Sequence, residues 1–330
     1  MEPVRLGIVS TAHINRKLLA GAAESAGADV VAVGSRELSR AQEFAELHGI
    51  PRAYGTYDEL LGDPDVEAVY IPLPNTMHCE WSIRAVEAGK HVLCEKPMSR
   101  HPQDVEAAFA AAERAGRLLS EAFMYRHHEQ TARLVDLVRS GAIGELRVVR
   151  SAFSYALFDE DNIRLRTDVE GGALMDVGCY CVSGSRLLAG EPEAVFGRAT
   201  VGPTGTDWVF TGSMRFANGV HAVFDCGTAL ANRDELEAIG TEGSLFLDDP
   251  WHCVEPMIEL RRRDSLERID VPRANPYRLE LENLGAAIRG SGPLLLGRAD
   301  AVAQARSIEA LFRSAASGEE VLLTDYVGQE

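Results

Sequence analysis

The distribution of apolar and polar residues divides the chain into two parts. In the first part, short apolar runs alternate with stretches long enough to form helices. Strands that are buried on both faces give continuous apolar runs, and their alternation with helices indicates parallel βαβ units. We predict strands at 4–9, 30–33, 68–71, 91–94 and 118–122, and helices at 13–26, 40–48, 78–88 and 102–116.

The pattern changes after about residue 125, where strands joined by tight turns become more frequent. The segment Ala217-Asn218-Gly219, for example, is a hairpin signal. We predict strands at 146–155, 194–200, 208–216, 220–226, 235–240, 244–247 and 257–261, and helices at 128–140, 176–189, 277–289 and 298–317. The predicted fold is therefore α/β with two domains. Residues 1–124 form a dinucleotide-binding domain with a Rossmann parallel sheet. Residues 125–330 form an α+β domain for substrate binding and oligomerisation, with a large, mostly antiparallel open sheet.

Composition and charge narrow the class of protein. The 330 residues are 46% hydrophobic and 25% charged, and no apolar run reaches the roughly 18 residues of a membrane span. The net charge of −17 argues against a nucleic acid partner, because phosphate binding needs a basic surface. The six cysteines are scattered, without a CxxC pair or zinc-type spacing. We therefore expect reduced thiols, no metal site, no membrane partner and a cytoplasmic location.

The segment after the first predicted strand has the size pattern of a dinucleotide-binding loop. Small residues at 7, 10 and 12 would let the backbone approach a pyrophosphate at a helix N-terminus. Two of these positions are not glycine, so an ordinary strand-to-helix turn is an equal alternative. The cofactor-binding residues that we predict here are Gly7, Ser10, Thr11, Ala12, His13 and Ile14.

The end of the second predicted strand bears on the choice between NAD and NADP. Ser35 and Arg36 stand there, with Arg40 one helical turn further along. No acidic residue occupies the position that would bind a ribose 2′-hydroxyl, whereas an arginine can pair with a 2′-phosphate and stack on adenine. We predict NADP as the cofactor, with NAD left open. The alternative is a solvated arginine at a helix start.

Another polar segment follows the predicted strand at 68–71, at the sheet edge where open α/β sheets bind ligands. Its prolines would hold the loop open, and Pro72, Asn75 and His78 are predicted cofactor contacts. Asn75 or Thr76 could instead serve as the cap of the next helix.

The run Glu95-Lys96-Pro97 follows the predicted strand at 91–94 and is a further candidate for contact with the cofactor. A lysine near a positively charged nicotinamide and a substrate hydroxyl can have its pKa lowered. It can then donate a proton to the substrate oxygen or tune a neighbouring acid. We predict Lys96 as a catalytic residue; a surface pair between Glu95 and Lys96 is the alternative.

Asp176 and Tyr180 are four residues apart, so on a helix they lie on one face. A carboxylate and a phenol there could bind a substrate hydroxyl and relay its proton. Gly171 and Gly172 would let the preceding backbone come close to the cofactor. From the residues alone, an ordinary helical face is the alternative.

These motifs together resemble the Gfo/Idh/MocA family of glucose–fructose oxidoreductase, inositol dehydrogenase and their relatives. The matching stretches are 7–14, 71–78, 94–97, 121–126 and 171–180. The resemblance implies an oxidoreductase that moves a hydride between the nicotinamide and a CH–OH or C=O carbon of a sugar, polyol or related small diol.

Many members of this family have a histidine where this chain has Tyr180. The tyrosine form resembles the branch of dimeric dihydrodiol dehydrogenase and NADP-dependent D-xylose dehydrogenase. By that resemblance Tyr180 is the acid/base, Lys96 lowers its pKa and Asp176 orients the substrate. Ser10 and Ala12 replace glycines of the family, so the chain departs from the family pattern in the pyrophosphate loop.

Several further polar side chains could line a sugar pocket, although surface or interdomain salt bridges are equal alternatives. Tyr155 is expected to pack rather than bind. The candidate substrate residues are Glu121, Tyr125, Arg126, Asn162 and Arg164.

Two rival functions remain open at this stage. A ketoreductase acting on a nucleotide-linked keto-sugar would need positive charge for a diphosphate, for which Arg150, Arg164 and Arg166 are candidates. A nicotinamide-binding sensor without catalysis would need no proton relay. For either enzyme we expect a homodimer or homotetramer formed through the C-terminal sheet, because an uncovered sheet face would expose an apolar patch.

Overall fold

The computed structural model describes residues 2–157, 159 and 161–323 and divides the chain into two compact units. Unit 1 contains the residues up to His127 together with Asn275–Val302. Unit 2 contains His128–Ala274 together with the residues from Ala303 onward. This division differs from the expected boundary after residue 124, because residues 275–302 group with the N-terminal part of the chain.

Unit 1 contains a six-stranded sheet with the order β3-β2-β1-β4-β5-β6, in which every neighbouring pair is parallel. Its strands are β1 (Val4–Val9), β2 (Ala28–Gly34), β3 (Arg52–Tyr54), β4 (Ala68–Ile71), β5 (His91–Glu95) and β6 (Leu119–Ala122). The helices between them are α1 (Asn15–Glu24), α2 (Leu38–His48), α3 (Tyr57–Leu61), α4 (His78–Glu87) and α5 (Pro102–Ala115). The predicted Rossmann sheet is confirmed.

The strand order reverses at β1, which lies between β2 and β4. Leu6 and Ile8 of β1 and Val69 of β4 have no exposed surface, as expected for strands covered on both faces. In open α/β sheets the ligand crevice lies outside the carboxyl ends of the strands at such a reversal. The loops after β1, β4 and β5 are therefore the relevant ones in unit 1.

Sequence reasoning did not predict β3 and α3, because elements of three and five residues are too short for a periodic signal. A local signal for α3 was present. The Thr56 side chain accepts a hydrogen bond from the Glu59 backbone N–H at 3.1 Å, and the Glu59 carboxylate accepts one from the Thr56 N–H at 3.2 Å. This reciprocal pair is a capping box, which marks a helix start.

Unit 2 contains a nine-stranded sheet with the order β14-β13-β12-β11-β7-β10-β9-β8-β15. Only the β7–β10 pair is parallel, so the predicted mostly antiparallel sheet is confirmed. Its strands are β7 (Leu146–Ala156), β8 (Pro192–Val201), β9 (Asp207–Phe216), β10 (His221–Gly227), β11 (Ala229–Gly240), β12 (Ser244–Leu247), β13 (Met257–Arg262), β14 (Ser265–Asp270) and β15 (Val321–Leu322). The edge strands β14 and β15 were not predicted.

The remaining helices are α6 (Glu129–Arg139), α7 (Cys179–Ala189), α8 (Pro276–Ile288) and α9 (Arg298–Ser317). Helix α8 belongs to unit 1, and α9 begins in unit 1 and ends in unit 2. The predicted helix at 176–189 begins differently from the expectation, because Leu174–Gly178 forms a π-helical turn before α7. None of the helices in the described ranges is long and apolar enough to cross a membrane.

The two faces of the unit 2 sheet differ in chemistry. Phe153 of β7 and Phe224 of β10 belong to the buried face, whereas Val223 of β10 is 44% exposed on the other. Most of that second face is polar, and it includes the pair Arg150–Glu237. The exposed face of the sheet is therefore largely polar and charged, and not the apolar patch that we expected. The argument from an apolar patch to a homo-oligomer does not hold.

Candidate active site

The loops after β1 and β4 are connected through Ser10. Its hydroxyl donates to the Pro72 carbonyl at 3.2 Å and accepts from the Ala12 N–H at 3.2 Å. The Asn15 side chain donates to the Ser10 carbonyl at 2.8 Å. Ser10 has a φ of 131°, which is unusual for a residue with a side chain. The contacts fix the loop in a conformation that a glycine would adopt more readily.

The loops after β4 and β5 are connected through His78, which is 1% exposed. Its Nε2 lies 2.8 Å from the Leu73 carbonyl, and its Nδ1 lies 2.9 Å from the Pro97 carbonyl. Burial lowers the pKa of His78 to about 4, although both carbonyls favour the protonated ring. His78 therefore positions the two loops, and its ring is not exposed for a direct contact.

Gly7 lies inside β1 rather than in the loop that follows. A Cβ at this position would lie 3.0 Å from Leu60 Cδ2 and 3.1 Å from Val66 Cγ1. The absence of a side chain at residue 7 is thus explained by packing against α3 and the chain before β4. Of the remaining loop candidates, His13 is exposed and Thr11, Ala12 and Ile14 are half-buried.

Ser35, Arg36 and Arg40 lie at and beyond the carboxyl end of β2. Ser35 is buried and its N–H donates to the Tyr54 carbonyl at 3.0 Å, whereas both arginines are exposed. Burial raises the pKa of Tyr57, while the charges of Arg36 and Arg40 and a hydrogen bond with Arg36 lower it. The two guanidinium groups are therefore both close to the Tyr57 hydroxyl.

Glu95 lies between a buried phenol and the Lys96 backbone. Tyr70 donates to Glu95 Oε1 at 2.5 Å, and the Lys96 N–H donates to Glu95 Oε2 at 3.2 Å. Burial, with the charge of Glu95, raises the pKa of Tyr70 well above its ordinary value, so the phenol stays a donor. The Lys96–Pro97 peptide bond is cis.

The candidate substrate residues at the end of β6 and after it are buried or engaged in contacts within unit 1. Glu121 is 2% exposed and accepts from the Met98 N–H at 2.7 Å, so it supports the chain that follows Pro97. Tyr125 is 1% exposed and packs edge-on against Phe123. Arg126 pairs with Asp300 at 3.5 Å. Substrate contacts by Tyr125 and Arg126 stay a prediction.

A buried carboxyl group that sequence reasoning did not single out lies in α8. Glu280 is 1% exposed, and neither of its oxygens has a hydrogen-bond partner within the described residues. The imidazole of His127 lies nearby, with its Nε2 3.9 Å from Glu280 Oε1. Burial raises the pKa of Glu280 well above its ordinary value, and the charge of Glu95 adds to this effect. Burial lowers the pKa of His127 to about 4, so burial shifts both groups towards their neutral forms.

In unit 2, the Asp176 carboxylate accepts hydrogen bonds from two side chains. Tyr155 donates to Oδ2 at 2.5 Å, and Arg164 Nε donates to Oδ1 at 3.2 Å. The Asn162 side chain in turn accepts from the Arg164 N–H at 3.1 Å. Burial, followed by the charge of Asp176, raises the pKa of Tyr155, so this phenol also stays a donor. The expectation that Tyr155 only packs is corrected by this contact; Phe158, for which we expect packing as well, lies outside the described residues.

Tyr180 packs in an aromatic cluster beside this group. Its ring centroid lies 5.3 Å from Phe153 in an edge-on arrangement and 5.9 Å from Trp251, and the residue is 5% exposed. Phe153 and Tyr155 are two residues apart on β7 and so share one face of the strand. Two positions of β7 thus contact the two predicted catalytic side chains, Tyr180 and Asp176.

The glycines before Asp176 serve the chain itself. A Cβ on Gly171 would lie 2.4 Å from the Arg164 carbonyl, and one on Gly172 would lie 2.0 Å from Asp207 Oδ1. Asp207 is buried and accepts from the Leu174 N–H at 2.7 Å, which holds the π-helical turn. Close packing against the 164–166 segment and Asp207 therefore accounts for both glycines, and the approach of this backbone to the cofactor stays a prediction.

Comparison with known proteins agrees with this geometry. Residues 4–123 match the model of an oxidoreductase family with an NAD-binding Rossmann fold, Gfo/Idh/MocA, and residues 131–246 match a C-terminal domain of the same family. A relative that is 36% identical covers 96% of the chain. The chain belongs to the Gfo/Idh/MocA family. It is an oxidoreductase, as predicted.

Three relatives illustrate what this family member resembles. The 36% identical relative is a D-xylose 1-dehydrogenase (NADP(+)) from Haloferax volcanii, of which 99% is covered. A trans-1,2-dihydrobenzene-1,2-diol dehydrogenase from Bos taurus is 36% identical over 70% of this chain and 69% of its own length. A 3-ketoreductase from Actinomadura kijaniata, solved with NADP and TDP-benzene, is 31% identical with a TM-score of 0.89, covering 94% of this chain and 98% of its own.

Some residues of this Gfo/Idh/MocA member could not be found by motif. Tyr57, Asp207 and Glu280 lie far along the sequence from the groups they contact, and no spacing rule connects them. Tyr155 had a weak signal, because it follows Phe153 on the buried face of a strand.

Proposed function

We propose that this protein transfers a hydride between NADP(H) and a CH–OH or C=O carbon of a neutral sugar, polyol or related small diol. The observation that carries the proposal is the position of Lys96 directly after β5, where His78 connects its neighbour Pro97 to the loop after β4. A xylose dehydrogenase and a dihydrobenzenediol dehydrogenase among the relatives support a neutral substrate that bears hydroxyl groups.

The residues at the end of β2 fit NADP. A 2′-phosphate is an anion that arginine can bind with paired hydrogen bonds. Arg36 and Arg40 are exposed and both act on the Tyr57 hydroxyl, so two cations are available at one place. The nicotinamide, when bound, gives or takes the hydride. The loop residues after β1 and β4, with Glu95 and Pro97, remain the proposed contacts to the rest of the cofactor.

For the proton, we propose Tyr180 as the acid/base and Lys96 as the cation that lowers the pKa of its phenol. An unperturbed phenol titrates near ~10, so it needs a positive neighbour to act close to neutral pH. Asp176 is proposed to orient the substrate hydroxyl. Its two oxygens accept hydrogen bonds from Tyr155 and Arg164, which fix the direction of the carboxylate.

A nucleotide-linked keto-sugar is the alternative substrate, supported by the resemblance to the 3-ketoreductase. Its diphosphate would need cationic side chains. The three arginines that we considered for this role have carboxylate partners within unit 2, namely Glu237 for Arg150, Asp176 for Arg164 and Asp168 for Arg166. These pairs favour the neutral substrate.

The test is a substrate panel with NADP and with NAD. The panel contains pentoses, hexoses, polyols, small diols and dTDP-linked keto-sugars, and nicotinamide absorbance reports turnover. We expect NADP-dependent turnover of neutral members. Lys96→Met should abolish most turnover while NADP affinity, measured by calorimetry, changes little. Turnover of dTDP-sugars alone would establish the alternative, and no turnover of any member would favour a sensor.

We also infer a homodimer or homotetramer through the nine-stranded sheet and a cytoplasmic location. Val223 is an exposed apolar side chain on an otherwise largely polar sheet face, so the first inference is tested at this position; six buried cysteines that form no disulfide support the second. Light scattering of Val223→Glu against the wild type tests the interface, since a charge there should shift the mass towards a monomer. Detection of the protein in the cytoplasmic fraction of cells tests the location.

A further inference from the structure

A short loop in unit 2 is fixed by one carboxylate. Asp249 Oδ1 accepts from the N–H groups of His252 at 3.2 Å and Cys253 at 3.1 Å. Its Oδ2 accepts from those of Val254 and Glu255, at 2.5 and 2.9 Å. With four backbone N–H groups bound, the loop has little conformational freedom, and the His252 side chain starts from a fixed position.

His252 is also fixed at its ring. Its Nδ1 donates to Asp234 Oδ2 at 2.6 Å, and Asp234 Oδ1 accepts from the Trp251 N–H at 3.3 Å. The Asp234 side chain is 19% exposed, whereas that of His252 is 38% exposed. A carboxylate on one ring nitrogen sets the tautomer and leaves the other nitrogen for a function. Within the described part of the chain, no hydrogen bond engages His252 Nε2.

The pair lies beside the aromatic cluster of Tyr180. The His252 ring centroid is 5.3 Å from that of Phe153, and Phe153 is 5.3 Å from Tyr180. Trp251, the neighbour of His252 in sequence, contacts both Phe153 and Tyr180. One aromatic ring therefore separates the oriented histidine from the proposed acid/base.

The same side chains could be taken for a metal site, since ligand atoms of Asp234, Asp249 and His252 lie within 4.8 Å of one another. Asp249, however, already has both oxygens on backbone N–H groups. What remains is a histidine–aspartate pair with one outward nitrogen.

We propose that His252, oriented by Asp234, is a specificity-determining residue that binds a hydroxyl group of the substrate through Nε2. The inference rests on the proposed function, because it takes Tyr180 as the acid/base. Two carboxylates close to His252 make this place unfavourable for a phosphate and compatible with an uncharged hydroxyl. Asp234 is a positioning residue that acts through His252.

The test uses the best neutral substrate from the panel and its singly deoxygenated analogues. We expect His252→Ala to lower kcat/KM on the parent substrate about tenfold, mostly through KM, which corresponds to one hydrogen bond of ~1.4 kcal/mol. On the one analogue that lacks the hydroxyl bound by His252, the variant and the wild type should react equally well. NADP affinity should not change.

Two further variants separate this role from a structural one. Asp234→Asn keeps a side-chain acceptor and should lose less than His252→Ala. The double variant should lose no more than His252→Ala alone, and it avoids an unpaired carboxylate if the single variant folds poorly. His221→Ala, which removes an exposed histidine from β10, is the matched control.

If His252→Ala lost kcat/KM equally on every analogue, or lost no more than the His221→Ala control, the role of His252 would be overturned. The proposed function would be unaffected by that result. If the wild type turned over no neutral substrate, the proposed function itself would fall and this inference with it.

Discussion

The loops of unit 1 and the site of unit 2 are stabilised by different kinds of contact. In unit 1, Ser10 and His78 bind backbone carbonyls of neighbouring loops. In unit 2, Asp176 binds the side chains of Tyr155 and Arg164. Contacts to the backbone set where a loop lies, whereas contacts between side chains also set charge. Substitutions of Ser10 and His78, which hold loops of unit 1 through the backbone, should therefore alter stability and cofactor affinity, whereas substitution of Asp176 in unit 2 should alter turnover.

The carboxyl groups of Asp176 in unit 2 and Glu280 in unit 1 differ in the hydrogen-bond donors around them. Asp176 accepts hydrogen bonds from the side chains of Tyr155 and Arg164. Glu280 has no hydrogen-bond partner within the described residues, and burial favours its neutral form. Burial of a carboxyl group therefore does not indicate by itself whether the group is charged. Its charge state also depends on the hydrogen-bond donors around it.

The largest effect is expected for Asp176→Ala. We expect kcat/KM to fall about 10²- to 10³-fold, because the substrate hydroxyl, Tyr155 and Arg164 all lose their common acceptor. NADP affinity should stay within a factor of about two. Steady-state kinetics and calorimetry measure both. Asp168→Ala is the matched control, since Asp168 pairs with Arg166 at the surface. A large loss of cofactor affinity in Asp176→Ala would remove the division of roles between the units.

His78→Leu should reduce the free energy of unfolding by about 2–3 kcal/mol, because the buried ring contacts two carbonyls that leucine cannot bind. It should also weaken NADP binding, because the loops after β4 and β5 lose their connection. Denaturant unfolding and calorimetry test this, with the exposed His221→Ala as control. A stable variant with weak cofactor binding would show that His78 itself contacts the cofactor.

Glu280→Gln should stabilise the protein at pH 8 by about 1–2 kcal/mol, since an amide needs no proton to stay neutral. The pKa of Glu280 is higher in the folded state than in the unfolded state. The contribution of Glu280 to the free energy of unfolding is therefore fully present only below the unfolded-state pKa near ~4.3, and it is lost as the pH rises. The gain from glutamine should therefore disappear towards pH 4. Unfolding midpoints of both proteins between pH 4 and pH 8 measure it. Equal midpoints at pH 8 would mean that Glu280 is ionised and paired.

The fold followed from the sequence wherever the signal was long. Strands buried on both faces give apolar runs, so the sheet of unit 1 and most strands of unit 2 were predictable. The exceptions were short or exposed: β3 and α3 have three and five residues, and no residue of β14 is buried. Residues 275–302 group with unit 1 through packing, for which the sequence carries no local mark.

The candidate site was predictable only where residues follow strand ends. Lys96 was found because β5 ends next to it, and Asp176 was found through a family motif. Tyr155, which binds Asp176, and the buried carboxyl groups of Asp207 and Glu280 depend on tertiary contacts. For a related reason, the sequence did not predict the packing that accounts for the glycines. Glycine signals a close approach, but the sequence cannot say whether a cofactor or, as at Gly171, the chain's own carbonyl makes that approach.

The smallest effect is expected at Ser10, where two contributions oppose each other. Ser10→Ala removes the hydroxyl that connects the loops after β1 and β4 and keeps the unfavourable φ of 131°. Ser10→Gly removes the same hydroxyl but relieves the strain. We therefore expect the glycine variant to be more stable than the alanine variant by about 0.5–1 kcal/mol. Denaturant unfolding of both variants measures the difference. If the alanine variant were the more stable of the two, the φ of 131° at residue 10 would not be a source of strain. The contacts of Ser10 with the backbone would then not determine the conformation of the loop after β1.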